Sequence, residues 1–170
     1  MPERALIWIS RQARLAIERE ACRHRLHETG GPLFGYEGAD GAVVIEAADG
    51  AGPKADHGRF HYRPDRDAIA AAIEREIADS DGRRYLVGEW HSHPLGRPRA
   101  SGRDRRSIQA MSEDEEVALT RPVALIQATR PWGRRVRAGE LTAWCWEPEG
   151  GGVAERTFAI FAATRRSRNG

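Results

Sequence analysis

Gly88-Glu89-Trp90-His91-Ser92-His93-Pro94, continued by Ser101-Gly102-Arg103-Asp104, is the segment around which the rest of this chain is arranged. Arg84-Tyr85-Leu86-Val87 leads into it as a β-prone run, so the histidines stand at the end of what reads as a buried central strand. Side chains on a strand alternate faces, so His91 and His93 point the same way and can grip one ion together. Pro94 cannot continue a hydrogen-bond ladder, and the chain must turn there. Ser101 is a natural N-cap for a helix to about Met111, which places Asp104 in the first turn with its carboxylate free to swing back as a third ligand. Two imidazoles, one carboxylate and an open fourth position describe a catalytic zinc site rather than a structural one.

The surrounding composition is that of a single globular domain. The 170 residues are enough to bury a core, and 40% are hydrophobic against 31% charged. No apolar run is long enough to cross a membrane, and Met1-Pro2-Glu3-Arg4 opens no signal-peptide-like segment, so a cytoplasmic location is expected. Cys22 and Cys145 belong to no C-x-x-C pair and read as reduced thiols. Of 27 basic residues only Lys54 is lysine, and the net charge is only +2, so charge gives no reason to expect nucleic-acid binding. The local groups Arg97/Arg99/Arg103/Arg105/Arg106 and Arg165/Arg166/Arg168 read as solvated surface and tail.

Going outward, Leu6-Ile7-Trp8-Ile9 is a short apolar run ending at Ser10, which can cap an amphipathic helix to about Leu26. Thr29-Gly30-Gly31-Pro32 is expected to stop that helix, which leaves Glu28 at a helix-to-strand junction. Leu33–Tyr36 and Ala42–Ile45 form a predicted hairpin around Gly38-Ala39-Asp40-Gly41. Ala51 to Pro64 reads as an irregular loop leading into a strand near Arg59–Tyr62. Asp65 then caps a helix whose Ile69, Ile73 and Ile77 make one apolar stripe, closed by Asp81-Gly82. The acidic 112–116 run is expected to be a loop or short helix. Pro122–Ala128 and Leu141–Trp146 are predicted strands separated by a turn at Pro131-Trp132-Gly133, and Glu147 to Gly152 is a glycine-rich turn. Phe158–Phe161 makes a last strand or short helix, with 162–170 as a flexible tail. Strands and helices in this mixed order predict an α/β or mixed α+β sandwich in one domain, without internal repeats.

The pattern H-x-H, seven residues, S-x-x-D arises by chance on the order of once in a few thousand chains of this composition. Glu28, His91-Ser92-His93-Pro94, Ser101 and Asp104 together resemble the JAMM motif of the JAB/MPN metalloprotease family, E, H-[ST]-H-P and S-x-x-D, at every position. Glu28-Thr29-Gly30-Gly31, Gly52-Pro53-Lys54-Ala55 and Gly88-Glu89-Trp90 further resemble the prokaryotic branch found beside ubiquitin-like conjugation genes and in antiphage operons. The likeness covers roughly residues 5 to 130. It implies a cytidine-deaminase-like fold, a mixed β-sheet flanked by helices.

The resemblance also implies a Zn²⁺ ion on His91, His93 and Asp104, Glu28 as general base and then acid, and Ser101 as the hydrogen-bond donor to a developing oxyanion. The reaction it implies is hydrolysis of an amide or isopeptide bond at the tail of a ubiquitin-like protein, with E1/E2-like operon partners. Release of an amino acid from a sulfur-carrier protein is the second enzymatic alternative. A non-catalytic MPN scaffold and a DNA-associated relative are the others; the first typically loses motif residues, and the second carries H-N-H-P where this chain has Ser92. Glu89 has the same strand parity as His91 and His93 and rivals Glu28 as base or ligand, although the family pattern assigns Glu28. His57 and His61 read as loop residues rather than a second metal site, and the 51–64 loop is expected to border the cleft against the substrate tail. Trp90 is expected to pack in the core beside the histidine strand, with Trp144 and Trp146 in the core or at a strand edge.

Overall fold

The computed structural model describes residues 7–115 and 117–162. It contains three helices and ten strands among them: β1 (Ile7–Ser10), α1 (Arg11–His24), β2 (Gly30–Glu37), β3 (Val43–Ala48), β4 (Asp56–His57), β5 (Tyr62–Arg63), α2 (Arg66–Asp79), β6 (Tyr85–His93), α3 (Gly102–Glu113), β7 (Val123–Trp132), β8 (Arg135–Glu147), β9 (Gly152–Arg156) and β10 (Phe158–Phe161). Eight strands form one mixed sheet in the order β10-β1-β3-β2-β6-β7-β8-β9, while β4 and β5 pair separately. The mixed α+β class and the flanking helices agree with the sequence. No helix among the described residues is long and apolar enough to cross a membrane.

Each face of the sheet has its own cover. Ala13, Ile17 and Ala21 recur every four residues along α1 and are buried with Ile7, Ile9, Ile45, Trp90, Val123 and Leu125. Ser10 anchors the start of α1, accepting the Ala13 N–H at 3.0 Å and donating its own hydroxyl to the Glu46 carbonyl at 2.7 Å. On the opposite face Ile108 of α3 packs with Ala124, Ile126 and Trp144. Trp90 points to the α1 side, so period-two alternation turns Glu89, His91 and His93 towards the α3 side. This division of faces places a helix start beside the two histidines.

Several local expectations change. Gly30, Gly31 and Pro32 lie inside β2 rather than capping a helix, and α1 ends two residues earlier than Leu26, with Arg25 at φ 53° closing it. The glycines answer a packing demand. A Cβ on Gly30 would meet the Trp90 carbonyl and the Tyr62 ring, and one on Gly31 would meet the Asp49 carbonyl. The isoleucine stripe of α2 is not its buried face: Ile77 is exposed and Ala72 is the buried residue. Here α2 crosses the backbone near Gly52, where a Cβ would already press on Ala68, so only small side chains fit between them.

The strand expected near Arg59–Tyr62 is a small hairpin instead, pairing Asp56 with Arg63 and His57 with Tyr62. Pro131 and Trp132 belong to β7, so the turn moves on to Gly133, φ 58°, and Arg134. α3 extends through Ser112 to Glu113. Gly152 opens β9, which pairs with β8 and was hidden behind the glycine-rich turn. Phe158–Phe161 is a strand, parallel to β1. Residues 163–170, with Arg165, Arg166 and Arg168, lie outside the described residues.

Candidate metal centre and its cleft

The site is assembled by register and by one helix start. Gly30 of β2 pairs with His91 of β6, so Glu28, two residues before Gly30, is carried level with His93. Thr29 and Ser92 hold that alignment: the Ser92 N–H donates to the Thr29 carbonyl at 2.8 Å, and the Thr29 N–H donates to Ser92 Oγ at 3.1 Å. Both residues are fully buried. Ser101 caps α3 in a reciprocal capping box, its Oγ accepting the Asp104 N–H at 3.2 Å while its own N–H donates to Asp104 Oδ2 at 2.6 Å. The same box aims the Asp104 carboxylate at the histidines.

His91, His93 and Asp104 are the group among the described residues whose ligand atoms converge as a metal set would. The two Nε2 atoms are 3.2 Å apart, His91 Nε2 is 3.3 Å from Asp104 Oδ1, and His93 Nε2 is 3.7 Å from Asp104 Oδ2. Tetrahedral bonds of about 2.1 Å put ligand atoms about 3.4 Å apart, so the three span the space of one divalent ion. The proton positions agree. His93 Nδ1 faces the Arg97 carbonyl at 2.8 Å, and a carbonyl only accepts, so the neutral ring carries its proton on Nδ1 and turns a bare Nε2 inward. Burial works to raise the Asp104 carboxyl, but hydrogen bonds from His91 and Ser101 outweigh it and hold the group well below the usual carboxylate range. Burial works to lower His91, but the Asp104 hydrogen bond together with the negative charges of Asp104, Glu89 and Glu28 raises it above the ordinary imidazole value.

A cleft of about 830 Å³ opens on this group. Glu28, His93, Ser101 and Asp104 line it with Arg59, Phe60 and Arg103, and so do Leu26 and Leu95. Burial raises the Glu28 carboxyl, Asp104 adds to the rise, and His91, His93 and Arg103 oppose it. Glu89 is placed differently. It does not line the cleft, and its carboxylate accepts the Ser107 hydroxyl of α3 at 3.0 Å. The 51–64 segment does border the cleft, through Arg59 and Phe60, and Arg103 reaches across to the Phe60 carbonyl at 3.4 Å.

Residues 10–145 match the Prok-JAB family, the prokaryotic homologs of the JAB domain. The chain belongs to that family. Among curated relatives, the probable metalloprotease y4qB of Sinorhizobium fredii is 33% identical over 81% of this chain and 85% of its own length. The CD-NTase/cGAS isopeptidase of Enterobacter hormaechei subsp. hoffmannii is 31% identical over 67% of this chain, which spans 62% of that relative. Among solved structures, the protein DSY2949 of Desulfitobacterium hafniense superimposes with a TM-score of 0.66 at 16% identity, covering 96% of this chain and 99% of that one. A Salinibacter ruber protein gives 0.53 at 20% identity over 91% and 89%. These two likenesses concern the fold.

In this JAB chain all five motif residues singled out in the sequence face one another across the cleft or the ligand group. Sequence reasoning gave no task to Ser92, whose hydroxyl and N–H tie β6 to the residue beside Glu28. Its only signal was its place between two histidines. Replacing Ser92 by Ala leaves a buried Thr29 N–H without its partner and is expected to cost about 1–3 kcal/mol of stability, read as a lowered midpoint in urea. An unchanged midpoint would show that the Thr29 amide does not depend on that hydroxyl. Among the described residues His57 and His61 belong to no group of three converging metal-ligating atoms; His57 turns to the Glu28 carbonyl, and His61 lies 3.6 Å from Asp56. Trp90 is core, its Nε1–H donating to the Asp49 carbonyl at 2.8 Å. Trp144 is buried against α3 and Trp146 packs partly against the same cluster. Both cysteines are free, and burial together with the Glu147 contact pushes the Cys145 thiol up to about 12.

Proposed function

We propose that this chain is a zinc-dependent peptidase or isopeptidase acting on an amide or isopeptide bond at the C-terminal tail of a ubiquitin-like protein. The observation that carries the proposal is the convergence of His91, His93 and Asp104 at the floor of a cleft whose wall holds Glu28 and Ser101. Two nitrogens and a carboxylate oxygen suit zinc, and a three-ligand set leaves room for water or substrate. Bound there, zinc supplies Lewis acidity that acidifies water and polarises a carbonyl.

The protein's own groups do the rest. Glu28, kept partly out of water and level with His93, takes a proton from the attacking water and hands it to the leaving amine. Ser101 Oγ accepts the Asp104 amide, which holds the hydroxyl at the cleft wall, and from there it donates to the developing oxyanion. Leu26, Phe60 and Leu95 are 52%, 74% and 49% exposed around the opening, an apolar rim that suits an extended tail better than a small polar substrate. The isopeptidase named among the relatives supports a protein conjugate as substrate.

The test is to incubate the zinc-loaded protein with ubiquitin-like proteins that end in Gly-Gly and are fused at that end to green fluorescent protein. Cleavage after the tail is expected, with loss of activity in a chelator such as 1,10-phenanthroline and recovery when zinc is returned. Failure to cut any such fusion in a chelator-sensitive way would sink the proposal and favour a binding role for the same cleft.

A further inference from the structure

The main chain of Glu28 is held from behind by the β4–β5 hairpin. The Glu28 N–H donates to the Gly58 carbonyl at 2.8 Å, and its carbonyl lies 3.0 Å from His57 Nδ1. Because a carbonyl only accepts, His57 must carry its proton on Nδ1 for this bond to exist. The His57 ring is itself set in place: it stacks on His24 with centroids 3.9 Å apart and planes 27° from parallel, and His24 Nε2 lies 3.0 Å from Glu20 Oε1. A chain of contacts thus runs from α1 through two stacked imidazoles to the peptide bearing Glu28. His57 does not line the cleft; it lines a separate hollow with Glu20, His24, Asp49 and Arg75. It therefore cannot touch a substrate seated over the metal ligands.

We propose that His57 is a positioning residue, whose Nδ1–H on the Glu28 carbonyl fixes where the Glu28 carboxylate stands over the metal site. Glu28 lies in residues 25–29, between α1 and β2, with no intrahelical or ladder bonds of its own. Its two main-chain bonds to the hairpin are what place it. The assignment rests on Glu28 being the general base, and a displacement of a catalytic group by about 1 Å can cost up to about 100-fold in rate.

Four zinc-loaded proteins test it: the parent, His57→Ala, His57→Asn and Glu28→Gln, with metal content and circular dichroism measured for each. The probe is the Gly-Gly fusion to green fluorescent protein. His57→Ala is expected to lower kcat by about 10- to 100-fold with KM and bound zinc unchanged. His57→Asn, whose side-chain N–H sits where Nδ1–H was, is expected to restore most of the loss. Parent-like kcat in His57→Ala, a change confined to KM, loss of zinc, or failure of Asn to rescue would each overturn the proposal. Should Glu28→Gln turn over like the parent, the base assignment is what has failed, a result separable from an inactive Glu28→Gln beside a fully active His57→Ala. The imidazole ¹⁵N spectrum needs no substrate: neutral His57 is expected as the Nδ1–H tautomer, and an Nε2–H tautomer would also overturn the proposal.

Discussion

Glu28→Gln is expected to lower hydrolysis by about 10²- to 10⁴-fold while the protein keeps its fold and its metal. Glutamine has the same shape and fills the same place on the cleft wall, but it cannot accept and return a proton. Metal binding should survive because the converging ligand atoms come from His91, His93 and Asp104 alone. Turnover of the fusion protein and zinc content by mass spectrometry check the two halves together. An active, zinc-loaded Glu28→Gln would remove Glu28 from the chemistry. The equivalent change at Glu89 is expected to do less, since that carboxylate is occupied by Ser107 and lies off the cleft.

The largest effect on stability is expected at Gly88. It sits at φ 156°, where the register between β2 and β6 shifts by one residue, and a Cβ there would come within 1.8 Å of the Val123 carbonyl on β7. An alanine must therefore either strain its own backbone or push apart the β6–β7 pairing that runs from Gly88 to His93. Strain and overpacking together predict a loss of about 3–5 kcal/mol, a fall in Tm of roughly 10–15 °C. Thermal unfolding followed by circular dichroism reads it, and an unchanged Tm would mean the sheet yields there at no cost. Because the bulge sets which face Glu89, His91 and His93 present, zinc affinity should fall along with stability.

The convergence of His91, His93 and Asp104 was legible in the sequence because its geometry is local. Period-two alternation puts His91 and His93 on one face, and a serine three residues before an aspartate begins a helix; neither needs knowledge of the rest of the chain. Glu28 was harder. Gly30 and Gly31 carry the usual mark of a helix end, yet they are glycines because Tyr62, the Trp90 carbonyl and the Asp49 carbonyl crowd against them, contacts made 18 to 60 residues away. Only a resemblance to a family could prefer Glu28 to Glu89, since strand parity favours Glu89. The isoleucines of α2 misled for the same reason: periodicity finds a stripe, but the backbone at Gly52 decides that alanine faces inward. β9 was invisible because its pairing is supplied by β8 rather than by its own composition.

Ser101 and Asp104 do two jobs with the same atoms. One carboxylate oxygen closes the cap of α3 while the other turns to His91, so the helix start itself orients the carboxylate. Discarding either residue carries a folding penalty, on the order of 1 kcal/mol for a lost cap, that has nothing to do with chemistry. Decay of such a site after its activity had lapsed would thus be uneven. Glu28 could drift first at little cost, whereas the serine and aspartate would linger as structural fossils, and a homologue retaining only that pair should not be counted as an enzyme on their account.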